Sequence, residues 1–175
     1  GGYLVVAADL AAFQAKYPGV NNVVGGWTGR LSNSNEDVEL EDAEGDRVDL
    51  VNYADEGDFA IRTDVGSGSW DWYSDADGFG RSLELQNPLL ENNAGQNWQA
   101  SAATEGTPGQ ANSVATTDMP PMILEMARFP AIPRSGQAVT ISARIVDELA
   151  TGLTVRLWHR DITGGGSPSF TETAM

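Results

Sequence analysis

An all-β fold is predicted, and three observations carry the prediction. Twenty Gly and eight Pro are spread along 175 residues, the punctuation of many turns between short strands. Val139, Ile141, Ala143 and Ile145 alternate with residues 140, 142 and 144, the period-2 signature of a strand with one buried face. Two further runs, 37–42 and 47–53, flank the turn signal Ala43-Glu-Gly-Asp46 and read as a hairpin. The hydrophobic fraction of 41% is sufficient for a core.

Taken in order, residues 3–7 form a short apolar run that predicts a buried strand. Asp9 is placed to cap a helix through Ala15 that Pro18-Gly19 ends. Leu10, Phe13 and Tyr17 would share one face of that helix and pack on the sheet. Residues 19–36, rich in Gly, Asn and Ser, read as a loop anchored by Trp27 and Leu31. In the hairpin the apolar phase changes from Val48 and Leu50 to Val51 and Tyr53, which predicts a bulge at Val51.

Residues 54–80 read as a long acidic, Gly-rich and aromatic loop, and 81–86 as a strand with Leu83 and Leu85 on one face. The Thr, Gly, Pro, Asn and Ser of 104–121 have linker composition and end at Pro120-Pro121. Strands are expected at 122–128, 137–146, 153–160 and 169–175. These four are fewer than the seven of an immunoglobulin-like sandwich, so the second unit is expected to be incomplete. The resulting partition is a first domain over 1–113, a linker over 114–121 and a partial domain over 122–175.

Charge narrows the partners. The net charge is −15, and of ten basic residues only Lys16 is a lysine; no basic stripe occurs, which argues against nucleic acid. No Cys is present, so disulfides and thiolate metal sites are excluded, although secretion is not. No run of about 18 apolar residues exists, so no membrane insertion is expected. The start at Gly1-Gly2-Tyr3, with no initiator Met and no signal sequence, predicts a cut within a longer protein.

The segment 78–112 carries a resemblance. Asp77-Gly78, then Ser82-Leu-Glu-Leu85, then Asn97-Trp98, then Gly106-Thr-Pro-Gly109 with Asn112 stand in the order of the closing part of a bacterial lamin-tail domain. The run at residues 1–7 and the hairpin 38–53 extend the likeness across about the first 113 residues. The resemblance implies an immunoglobulin-like β-sandwich of lamin-tail type with one short helix. The strands that usually open such a domain are missing, which implies an exposed edge.

Pro133-Arg-Ser135, 137–147 and Val155-Arg-Leu-Trp158 resemble the immunoglobulin-like domain that follows lamin-tail domains in large bacterial surface proteins. Some of those carry a spore-coat-type kinase-like domain, none of whose residues can be located here. The function implied is a non-catalytic structural or adhesion module of a secreted or cell-surface bacterial protein, with protein or glycan partners and neighbouring domains of the same chain. The competing reading is an accessory domain that positions substrate for an extracellular nuclease or kinase-like enzyme.

Four features bear on chemistry. Asp75 and Asp77 with Gly78 and Glu84 partly match a calcium loop, with calcium as the only candidate cofactor. Tyr73 then stands where the first ligand is needed, and an acidic turn is the competing reading. Trp70, Trp72 and Tyr73, interleaved with Asp71 and Asp75, are candidate ligand-binding residues that could stack on sugar rings; the alternative is packing at the end of the sandwich. His159 is the single His, and without a second His or a nucleophile elbow it reads as a strand-end residue. Gly164-Gly-Gly166 reads as a loop, since no Lys-Ser or Lys-Thr follows. No catalytic residue is assigned.

Overall fold

The computed structural model describes residues 2–67, 69–149, 151–160 and 169–175; the loop read at Gly164-Gly-Gly166 lies outside them. The chain is strand-rich, with 37% strand and 8% helix, as the turn-dense composition predicts. Its described strands form six two-stranded sheets, and no sheet is joined to another.

The first sheet is a parallel pair, β1 (Val5–Ala7) with β2 (Val23–Gly25), linked by α1 (Leu10–Lys16). Asp9 caps α1 as expected, its Oδ1 accepting from the Ala12 amide at 2.9 Å. Leu10, Phe13 and Tyr17 are half-buried, and the Tyr17 hydroxyl donates to the Glu105 carbonyl at 2.9 Å. β2 corrects the expectation of loop throughout 19–36. Gly25 allows it, because a Cβ there would sit 2.8 Å from the Ala7 carbonyl oxygen and 2.9 Å from Leu10 Cβ. Helix and strand could not approach so closely around any other residue. Trp27 and Leu31 do not anchor the segment; they are 38% and 52% exposed.

The expected hairpin is present as β3 (Asn35–Glu41) and β4 (Arg47–Ala54), antiparallel. Its turn is built by Asp42, whose Oδ1 accepts from the amides of Glu44 at 3.0 Å and Asp46 at 2.9 Å. Gly45 sits at φ +87°. Leu40 pairs with Asp49 and Glu41 with Arg47, so the bulged residue is Val48 rather than Val51. The phase slip seen in the sequence is real, but the extra residue lies three positions nearer the turn. Val38, Leu40, Val51 and Tyr53 consequently share one face.

Residues 54–80 are not a continuous loop. A single 3-10 turn (Gly57–Phe59) leads into β5 (Ile61–Gly66) and β6 (Ser69–Tyr73), an antiparallel hairpin. Ile61, Thr63 and Val65 on one strand, and Trp70 and Trp72 on the other, carry the alternation that produces it.

β7 (Leu83–Leu85) pairs antiparallel with β8 (Trp98–Ala100). The most buried part of the molecule surrounds this pair, and it is largely polar: Glu84, Asn87, Asn97 and Ser101 are buried alongside Ala94, Met119 and Met122. Gly106 and Gly109 take φ +74° and +73°. A Cβ at Gly106 would lie 2.3 Å from Ser82 Oγ, and one at Gly109 2.8 Å from Asn22 Oδ1. The Gly-Thr-Pro-Gly exit thus needs glycine for both backbone shape and space.

Beyond it, β9 (Met122–Phe129) pairs with β10 (Thr140–Val146), and β11 (Arg156–His159) with β12 (Thr171–Ala174). All four expected strands of the second segment are found. Hydrogen bonds tie 114–121 to neighbouring segments: Thr116 donates its amide to the Gln86 carbonyl at 3.0 Å. Glu148 Oε1 accepts from Asn87 Nδ2 at 2.6 Å and from the Met119 amide at 3.1 Å. Gln96 brackets Ile123, its Nε2 donating to the carbonyl at 2.8 Å and its Oε1 accepting from the amide at 3.0 Å.

The accessible surface is 12,724 Å², against about 8,200 Å² for a compact monomer of this mass. Hairpins that do not stack leave their apolar faces open, and Leu40, Val48, Ile61 and Ile123 are all more than half exposed.

Candidate binding surface

The candidate aromatic residues lie on the β5–β6 hairpin, and its register sorts them. Arg62 is opposite Trp72, and Asp64 is opposite Trp70; Ile61 is opposite Tyr73, and Thr63 is opposite Asp71. Directly paired residues project to the same side of a sheet. One face therefore carries Arg62, Asp64, Trp70 and Trp72, and the other Ile61, Thr63, Asp71 and Tyr73. The three aromatic residues grouped in the sequence are not one platform.

On the first face Trp70 and Trp72 are 47% and 42% exposed. The Arg62 guanidinium lies 4.1 Å from the centre of the Trp70 ring, a distance at which the negative ring face attracts a cation. Among the described residues β5 and β6 pair with no other strand, so both outer edges carry unpaired backbone groups. Window 54–80 holds seven acidic side chains against the single Arg62, a net charge of −6.

Tyr73 belongs to a separate arrangement on the second face. Its ring packs 5.5 Å from that of Phe79, and its hydroxyl donates to Asp75. That hydrogen bond, with burial second, holds the phenol above its ordinary value. Asp75 also pairs with Arg81 at 3.5 Å, and Arg81 donates to the Ala102 carbonyl at 2.7 Å.

The calcium-loop candidates are not brought together. Asp75 is engaged by Tyr73 and Arg81, while Asp77 lines a shallow cleft with Ser32, Tyr53 and Asp55. Glu84 is turned inward. Its Oε1 accepts from Thr107 Oγ1 at 2.6 Å and Ser82 Oγ at 3.2 Å, and its Oε2 accepts from the amide and hydroxyl of Ser113, both at 2.7 Å. Burial pushes the Glu84 carboxyl up, but these hydrogen bonds together outweigh it and hold the group below its usual value of 4.5. Among the described residues no group of three His, Asp or Glu side chains is arranged to hold a metal ion. His159 pairs with Thr171 across β11–β12 and reaches diagonally to Thr173, Nε2 to Oγ1 at 3.1 Å.

The polar network at β7–β8 had no role assigned from the sequence. Asn97 was legible as part of a motif, but not its work: it is fully buried and holds the 87–91 turn by three hydrogen bonds. Trp98 holds the residue that follows this turn, its indole N–H donating to the Asn92 carbonyl at 2.6 Å. Among the described residues no helix is long and apolar enough to cross a membrane. Set against known proteins, the chain matches no family model, no curated protein and no solved structure.

Proposed function

We propose that this chain is a non-catalytic structural and binding module of a larger secreted or cell-surface bacterial protein, with a lamin-tail-like first domain and part of an immunoglobulin-like second. The observation that carries this reading is the division of labour among polar and aromatic groups. The buried polar side chains Glu84, Asn97 and Ser101 are spent on backbone and hydroxyl partners, whereas Trp70 and Trp72 stand exposed on an open hairpin. Side chains consumed in this way hold a shape, and a contiguous exposed aromatic pair on one face is the kind of patch that recognises a partner.

Screening the chain against arrays of peptides, glycans and bacterial surface polymers tests the reading. Saturable binding to at least one class is expected, lost in a Trp70→Ala/Trp72→Ala double variant. Binding to none, or turnover of a phosphoryl-transfer or nuclease substrate, would overturn it.

A further inference from the structure

Resting on that reading, the geometry points to one kind of partner: an extended basic peptide segment that adds as a strand to the outer edge of β6 and lays an Arg side chain against Trp72. Three independent features converge on it.

First, the hairpin itself displays the contact. Arg62 reaches diagonally from β5 to cover the Trp70 ring at 4.1 Å. A strand on the other side of β6 would flank the same two rings from the opposite edge. Its side chains would stand about 4.5–5.5 Å from theirs at the Cβ atoms, within easy reach of a guanidinium. Trp72 is 42% exposed, which leaves ring surface to be covered.

Second, the edge of β6 is free among the described residues. Backbone pairing along such an edge supplies affinity, and alternate side chains supply selectivity. An alternating Arg pattern places every guanidinium on the Trp face.

Third, charge selects the sign of the partner. The window around the hairpin carries −6 and the whole chain −15, and Asp64 shares the tryptophan face. An acidic field of this size draws cations in and turns away polyanions. A neutral glycan could stack on the same rings, but it would gain nothing from the charge or the open edge.

The test uses the intact chain and a blocked peptide of about ten alternating Arg and Thr residues, long enough to span β6. Tryptophan fluorescence and calorimetry would follow binding of this peptide, its Glu-Thr counterpart, an N-methylated copy and cellohexaose. The Arg-Thr peptide should bind saturably, and the Glu-Thr peptide should not. Raising NaCl from about 50 to about 500 mM should weaken binding about tenfold or more. Trp72→Ala should weaken it about tenfold, while Trp72→Phe, which keeps an aromatic face, should stay near the parent affinity.

Circular dichroism confirms that each variant is folded before it is counted. A flat titration, or peptide binding unchanged by Trp72→Ala, overturns the proposal. Undiminished binding of the N-methylated copy overturns strand addition. If cellohexaose binds through Trp72 and the peptide does not, the basic partner falls and the binding-module reading stands. If no probe and no array ligand binds, both fall.

Discussion

Replacing Glu84 by Ala is expected to lower the free energy of unfolding by about 2–3 kcal/mol. The carboxylate is buried and accepts four hydrogen bonds, three of them from Thr107 and Ser113 in the segment that closes the first unit. Alanine would leave a half-buried Thr107 hydroxyl and the donors of the more exposed Ser113 without their acceptor. Glu84→Gln keeps the volume but turns an amide N–H₂ toward donors, and should cost about 2 kcal/mol.

The variant also separates charge from shape through pH. Because the folded-state value lies below 4.5, the unfolded chain takes up the proton first as pH falls. The stability contributed by Glu84 is therefore complete above the unfolded value and fades as pH drops through the folded one. Urea unfolding between about pH 6 and about pH 3 should show a steep acid decline in the parent and a shallower one in Glu84→Gln. An identical acid decline in the two would show that the carboxylate does not act as described.

The second large effect is expected at Asn97. Its Oδ1 accepts from the Asn87 amide at 2.9 Å, and its Nδ2 donates to the carbonyls of Asn87 at 2.8 Å and Glu91 at 3.2 Å. One side chain thus stands in for a missing strand against the 87–91 turn. Asn97→Ala orphans buried backbone groups and should cost about 3 kcal/mol, equivalent to a fall of about 6–12 °C in Tm for a chain of this length. Asn97→Asp retains the acceptor but loses both donations and should be destabilised as well. Thermal melts give the size of the effect. Hydrogen exchange at the Asn87 amide locates it, and unchanged protection there would contradict the assigned role.

Elements were legible where a periodic pattern ran long enough to count. The hairpin β3–β4, the capped helix after Asp9 and the strands of the second segment each span several periods or carry a specific signal. β2 and β8 are three residues each, too short for a period, and are held by parallel pairing to β1 and by the Asn97 network. β5–β6 is a different case: Ile61, Thr63 and Val65 alternate, but the acidic and Gly-rich composition around them reads as loop.

That misreading also blurred the candidate site. Trp70, Trp72 and Tyr73 look like one cluster in a loop, whereas a strand places Tyr73 on the reverse side and brings Arg62 to the tryptophans. Glu84 is a third case. Its spacing from Asp75 and Asp77 suits a metal loop, while its hydrogen-bond partners lie up to 29 residues away among common Ser and Thr side chains. No local pattern marks them.

The packing of the 114–121 segment gives the molecule a built-in chemical clock. Met119 and Met122 are 6% and 1% exposed, whereas Met126 and Met175 are 76% and 56% exposed. Sulfoxidation by dilute peroxide follows access to the thioether. Met126 and Met175 should therefore gain oxygen promptly, Met119 only as fast as the 114–121 segment opens, and Met122 only as fast as the start of β9 does. Peptide mass spectrometry over a time course would read those opening rates directly, with the two exposed methionines as the internal standard.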